Sequence, residues 1–123
     1  MNFREAVISG LARGADFSSR ASRAEFWYWL LLVALGEITA AVLDTAIFAY
    51  HIGFSPLPSL FSLLAVLPTA AVAARRLHDT DRSGWWLVIA CTGVGVLPLL
   101  YWQYQPGTPG TNRFGPNPEE ATD

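Results

Sequence analysis

The chain has 123 residues, of which 52% are hydrophobic and only 15% charged, with a formal net charge of -2 and a mean hydropathy of +0.31. Soluble domains carry about 25% charged residues, so this composition excludes an ordinary soluble domain, a disordered chain, a collagen and a coiled coil. It indicates an all-α membrane protein forming a single membrane domain over residues 1–123. The one cysteine, Cys91, supplies neither an intrachain disulfide nor a metal site, no cofactor pattern is present, and no run of like charge offers an arm for nucleic acid.

Residues 1–24 read as a cytoplasmic interfacial segment. Phe3, Ala6, Val7, Gly10 and Leu11 fall on one helical face and Arg4, Glu5 and Arg13 off it, which predicts a short amphipathic helix lying in the membrane interface and ending near Gly14. Ser22 and Glu25 then have the spacing of a capping box, which predicts that the next helix starts there.

A helix needs about 20 apolar residues to cross a hydrocarbon core about 30 Å thick. Three runs qualify, at about 26–49, 57–74 and 85–104, and they predict three transmembrane helices. Pro68 inside the second predicts a kink, which a membrane bundle tolerates because neighbouring helices satisfy the freed carbonyl. Residues 51–56 are too few to hold a domain, so the first two spans form a hairpin. Residues 105–123 are a proline- and glycine-rich tail of turns.

All eight basic residues are arginine. Seven of them fall before the first span or between the second and third, and Arg113 lies in the tail. By the positive-inside rule the N-terminus is cytoplasmic and, with three spans, the C-terminus is outside. Tryptophans sit at the span ends: Trp27, Trp29, Trp85 and Trp86 as anchors at the inner interface, and Trp102 at the outer one with Tyr50, Tyr101 and Tyr104. The alternative is that the third run re-enters, breaking at Gly93 and Gly95, and returns the tail to the cytoplasm.

Three motifs stand out: SRASRAEFW from Ser19, RRLHDTDRSGWW from Arg75, and PGTPGTNRFGPNP from Pro106. In this order, from about Phe17 to Pro118, the chain resembles the bacterial inner-membrane family known as domain of unknown function 805, although Ser19 stands where that family usually has glycine. The resemblance implies a small multi-pass protein of the bacterial inner membrane, and no established activity.

The candidate site follows from the motifs. Arg20, Arg23, Arg75, Arg76 and Arg82 share one membrane face with His78 and Asp79, and guanidinium forks match phosphate bidentately, so the cluster suits an anionic lipid headgroup or an anionic partner segment. Equally, Arg75 and Arg76 fix topology, Asp79 neutralises them, and Asp81 or Ser83 caps the third span. His78 has neither the companions of a zinc site nor the nucleophile elbow of a hydrolase. Glu37 falls near the bilayer centre, where an ionisable group is expensive. Depth arithmetic places Thr69 and Thr92 in the same layer, as an intramembrane polar site. Ala90, Gly93 and Gly95 suit close helix packing within or between protomers. Arg113 and Phe114 make tail turns or close the outer mouth of the bundle. Two functions remain open: a non-enzymatic module binding membrane lipid or a membrane-protein partner, with homo-oligomers allowed, and a subunit of an oligomeric proton- or cation-coupled transporter using Glu37.

Overall fold

A computed structural model describes residues 2–48 and 55–118. In chain order it contains α1 (Phe3–Ala12), α2 (Arg23–Ile47), α3 (Pro56–Asp79), a 3₁₀ segment (Gly84–Thr92) and α4 (Val96–Tyr104), with no strand longer than an isolated bridge among the described residues.

The first helix opens on a capping box that the sequence reading missed. The Asn2 side chain accepts the Glu5 N–H at 2.8 Å, and the Glu5 carboxylate accepts the Asn2 N–H at 3.3 Å. Ala6 and Gly10 are buried against α2, where a Cβ on Gly10 would come within 2.3 Å of the Trp29 ring. Phe3 and Leu11 turn outward on the same helix. The box expected at Ser22 forms only by half. Ser22 caps α2 by accepting the Glu25 N–H, but the Glu25 carboxylate is used elsewhere.

Helices α2 and α3 form the expected antiparallel hairpin. Trp29 Nε1–H donates to Thr69 Oγ1 at 3.0 Å, Gly36 lies under the Phe61 ring, and Asp44, buried, accepts the Leu57 N–H at the first turn of α3. A carboxylate there offsets the positive end of the helix dipole. Outward, the hairpin exposes Leu31, Leu35, Ile38 and Val42 from α2 and Leu60, Leu63 and Leu64 from α3. The core helix of a soluble protein would bury these residues; here only 6% of the most apolar stretch of α2 is buried, so lipid must be the solvent. From Trp29 to Ile47 the helix rises about 27 Å, which matches a hydrocarbon core.

Three expectations are corrected. The second span does not end at residue 74: α3 continues through Arg75, Arg76 and His78 to Asp79, so residues assigned to a connection are helical. The third run is not one helix of membrane-crossing length. It breaks at Gly93, whose φ of 76° is left-handed, into a 3₁₀ segment and α4, and nine residues of either rise at most about 18 Å. The described residues therefore hold two helices of membrane-crossing length. The two ends of the third run are not held apart either: Trp86 and Trp102, expected at opposite interfaces, pack edge to face with centroids 5.5 Å apart. Among the other expected anchors Trp29 is buried, while Trp27 and Trp85 are exposed. Ala49, Tyr50 and His51 lie outside the described residues, as do the last five positions of the tail.

Candidate functional site

The ends of α2 and α3 carry the charge. Arg75 is fully buried and donates to Glu25 Oε1 at 2.8 Å, an oxygen that also accepts from Ser9 Oγ of α1 at 2.7 Å. Asp79, also fully buried, lies between two arginines. Arg20 reaches its Oδ1 at 2.8 Å and Arg76, one helical turn back, pairs with Oδ2. The remaining donors of these arginines go to the tail. Arg20 bonds the carbonyls of Thr108 at 2.7 Å, Gly110 at 2.8 Å and Gly115 at 3.2 Å. Arg76 bonds the carbonyls of Gln103 and Gln105. Only a guanidinium presents enough N–H groups in a fixed fork to hold a carboxylate and several carbonyls together, which accounts for arginine at positions 20 and 76. The packing is tight: a Cβ on Gly107 would fall 2.0 Å from Asp79 Oδ2.

Beside this ion cluster the tail docks on His78. The Phe114 ring stacks on the imidazole at 3.9 Å and 3°, Asn112 Nδ2 donates to the His78 carbonyl at 2.9 Å, and Asn112 Oδ1 accepts the Phe114 N–H. His78 Nδ1 lies 2.9 Å from the Ser19 carbonyl. A carbonyl only accepts, so Nδ1 carries the proton. The Ser19 loop is itself pinned by Asp16. Partial burial opposes the Asp16 charge, but the hydroxyls and amides of Ser19 and Ser18 outweigh it and hold the carboxyl below the usual carboxylate range. Arg82 stacks on Trp102 at 4.7 Å, and Arg113 pairs with Asp81 at the surface.

Between His78, the 3₁₀ segment and the 17–18 loop lies a cavity of about 700 Å³. Its walls are mostly apolar: Phe17, Ala74, Trp85, Leu87, Val88 and Phe114, with Ser18, His78 and Ser83 as polar groups.

Of the expected site residues, Arg20, Arg76, His78 and Asp79 come together with the tail. Arg75 faces Glu25 instead, Arg82 faces Trp102, and Arg23 opens α2, half-buried. The forks of Arg20, Arg75 and Arg76 point inward, whereas an open headgroup site needs them outward. The polar layer of Glu37, Thr69 and Thr92 does not form. Glu37 accepts from Ser62, Thr69 accepts from Trp29, and Thr92 donates to the Ile89 carbonyl of its own segment. Arg113 and Phe114 cap the arginine end, not an outer mouth. Sequence reasoning missed Ser9, Gln103 and Asn112, and saw Glu25 only as a cap. Asn112 lies inside the third motif, which was a signal for it; Ser9 and Gln103 lie outside all three motifs and carried none. Among the described residues no three metal-ligating side chains gather.

The family model described as "Protein of unknown function (DUF805)" matches residues 14–116. The chain is 39% identical over 105 residues to "Inner membrane protein YhaH" of Escherichia coli strain K12, covering 84% of this chain and 87% of that protein. It is 38% identical over 113 residues to "Inner membrane protein YhaI" of the same strain, covering 91% and 93%. No solved structure matches it.

Proposed function

The chain belongs to the DUF805 family of proteins of unknown function and is an integral inner-membrane protein, and from that premise we propose that it is a non-enzymatic module that binds a membrane lipid in the cavity beside His78. The observation that carries this reading is the cavity's position. It opens between the arginine end, which is polar, and the 3₁₀ segment, whose Trp85 and Val88 face outward as lipid-contacting residues do. Its volume lies within the range of about 300–1,000 Å³ typical of small-molecule sites, and its apolar walls suit acyl chains. The inward forks of Arg20, Arg75 and Arg76 favour this site over a headgroup site on the cluster itself. The Glu37 transport reading has less support, because Glu37 joins two helices by accepting from Ser62.

We also propose that both termini are cytoplasmic. Every arginine of the chain lies in the segments that meet at this end, so the positive-inside rule assigns that end to the cytoplasm. Native mass spectrometry of protein extracted in mild detergent tests the lipid reading. Wild type is expected to carry a bound lipid, and Val88→Trp, which fills the cavity, is expected to lose it at unchanged thermal stability. Equal lipid occupancy in the two proteins overturns the reading.

A further inference from the structure

We propose that the cavity takes a neutral lipid alcohol, an uncharged amphiphile whose hydroxyl donates to His78 Nε2. The assignment rests on the lipid-pocket reading and names the chemistry of the occupant.

The argument starts from the imidazole. Its Nδ1–H is committed to the Ser19 carbonyl and its face stacks on Phe114, so turning the ring over would give up the bond to Ser19. In the neutral ring, the form an ordinary histidine adopts at pH 7, Nε2 is then a lone-pair acceptor. That nitrogen takes no hydrogen bond from the described residues and points at Gly84, where an added Cβ would come within 3.4 Å of it. Both residues line the cavity. Of the other polar groups in the lining, Ser18 donates its hydroxyl to Asp16 and Ser83 Oγ accepts the Trp85 N–H, so His78 Nε2 is the acceptor that the site offers at the edge of an apolar volume.

Charge decides the class. A phosphate or carboxylate needs donors, and no guanidinium lines the cavity: Arg20 and Arg76 serve Asp79 and carbonyls, Arg75 faces Glu25, Arg82 stacks on Trp102 and Arg113 pairs with Asp81. An anion would also meet the lone pair of Nε2. Water is a poor occupant, because 700 Å³ holds about 20 molecules at roughly 30 Å³ each, and each needs two or more polar partners that these walls do not provide. A lipid alcohol satisfies both features. Its hydroxyl meets Nε2 at the level of Trp85, the amphipathic ring at the start of the 3₁₀ segment, and its chains run along Leu87 and Val88.

The probe is dioleoylglycerol, titrated into the detergent-solubilised protein and read by native mass spectrometry. The comparators are its 3-O-methyl ether, which lacks the donor, and dioleoylphosphatidylglycerol. Wild type is expected to bind dioleoylglycerol about three- to tenfold more tightly than the ether, the worth of one neutral hydrogen bond, and phosphatidylglycerol more weakly still. Two variants remove the acceptor by different routes. His78→Asn places an amide nitrogen near the Nδ1 position, keeping the bond to Ser19, and deletes Nε2. Gly84→Ala leaves His78 untouched and covers Nε2 with a methyl group. Both are expected to bind alcohol and ether equally while retaining some affinity for each. The inference is overturned if wild type does not distinguish alcohol from ether, if both variants keep the preference, or if phosphatidylglycerol binds as well as the alcohol. In those cases lipid still binds and the pocket reading stands. Absence of any lipid binding overturns the pocket reading, and this inference with it.

Discussion

The α2–α3 hairpin and the run from Gly84 to Tyr104 are similarly apolar, yet only the hairpin has the length to cross a membrane. In α2 the one interior glycine, Gly36, serves a helix contact by admitting the Phe61 ring. In the third run Gly93 and Gly95 make a turn. Gly93 is left-handed, and a Cβ on Gly95 would fall 1.9 Å from the Ile89 carbonyl oxygen. The turn satisfies its own polar groups: Thr92 Oγ1 accepts the Gly95 N–H at 2.9 Å, and Gly93 N–H bonds the Ala90 carbonyl at 3.0 Å. Both ends of the run are tied to the same polar cluster, Ser83 capping its start and Arg76 holding the carbonyls of Gln103 and Gln105. Apolar length permits a crossing. The polar partners of the two ends decide whether it happens.

The most direct way to break this contrast is to remove the tie. Asp79→Ala leaves Arg20 and Arg76 buried without their carboxylate, and stranding a buried charge typically costs about 3–5 kcal/mol. The expected result is a large fall in thermal stability in detergent together with protease sensitivity of residues 105–118. A fall below about 1 kcal/mol would mean that the tail carbonyls alone hold the arginines. A smaller effect is expected from Gly107→Ala, whose Cβ collides with Asp79 Oδ2 while every charge is kept; overpacking of this kind costs about 1–3 kcal/mol.

The turn offers the complementary test. Replacing Gly93 and Gly95 together by Leu forbids the left-handed turn, at about 1–3 kcal/mol of backbone strain, and favours one continuous apolar helix over residues 84–104. Alkaline phosphatase fused after Asp123 is expected to be inactive in wild type and to gain activity in the double variant. An active wild-type fusion would show the run crossing as it stands and would overturn the cytoplasmic assignment of the tail.

The hairpin, the interfacial helix and the break at Gly93–Gly95 were legible because each is local. Twenty apolar residues, a 3.6-residue period and two close glycines are written in consecutive positions. The length of α3 was not legible, since RRLHD reads as a polar loop until Glu25 and the tail are known to enclose it. Nor was the fate of the arginines. Their acceptors are mostly backbone carbonyls of Gln103, Gln105, Thr108, Gly110 and Gly115, and any residue type carries a carbonyl. Tryptophan placement assumed that the third apolar run is one continuous helix, so it set Trp102 far from Trp86, which it touches.

The smallest effect sharpens the comparison from the hairpin side. Glu37 lies about 12 Å along α2 from Trp29 and about 10 Å from Asp44, so it is a carboxylate near the middle of α2. Its carboxylate accepts the Ser62 hydroxyl of α3. Gln keeps a carbonyl acceptor at that position and abolishes titration, and interhelical hydrogen bonds in membranes average only about 0.6 kcal/mol. A structural Glu37 therefore predicts that Glu37→Gln shifts stability by no more than about 0.6 kcal/mol, and that Glu37→Leu loses slightly more because Ser62 is left without its partner. In reconstituted vesicles, proton and cation leak at matched folded protein is expected to be the same for wild type and Glu37→Gln across a pH series. A variant that stays folded yet leaks less would reverse the assignment, because the amide preserves shape and acceptor and removes only the proton that a carrier would need.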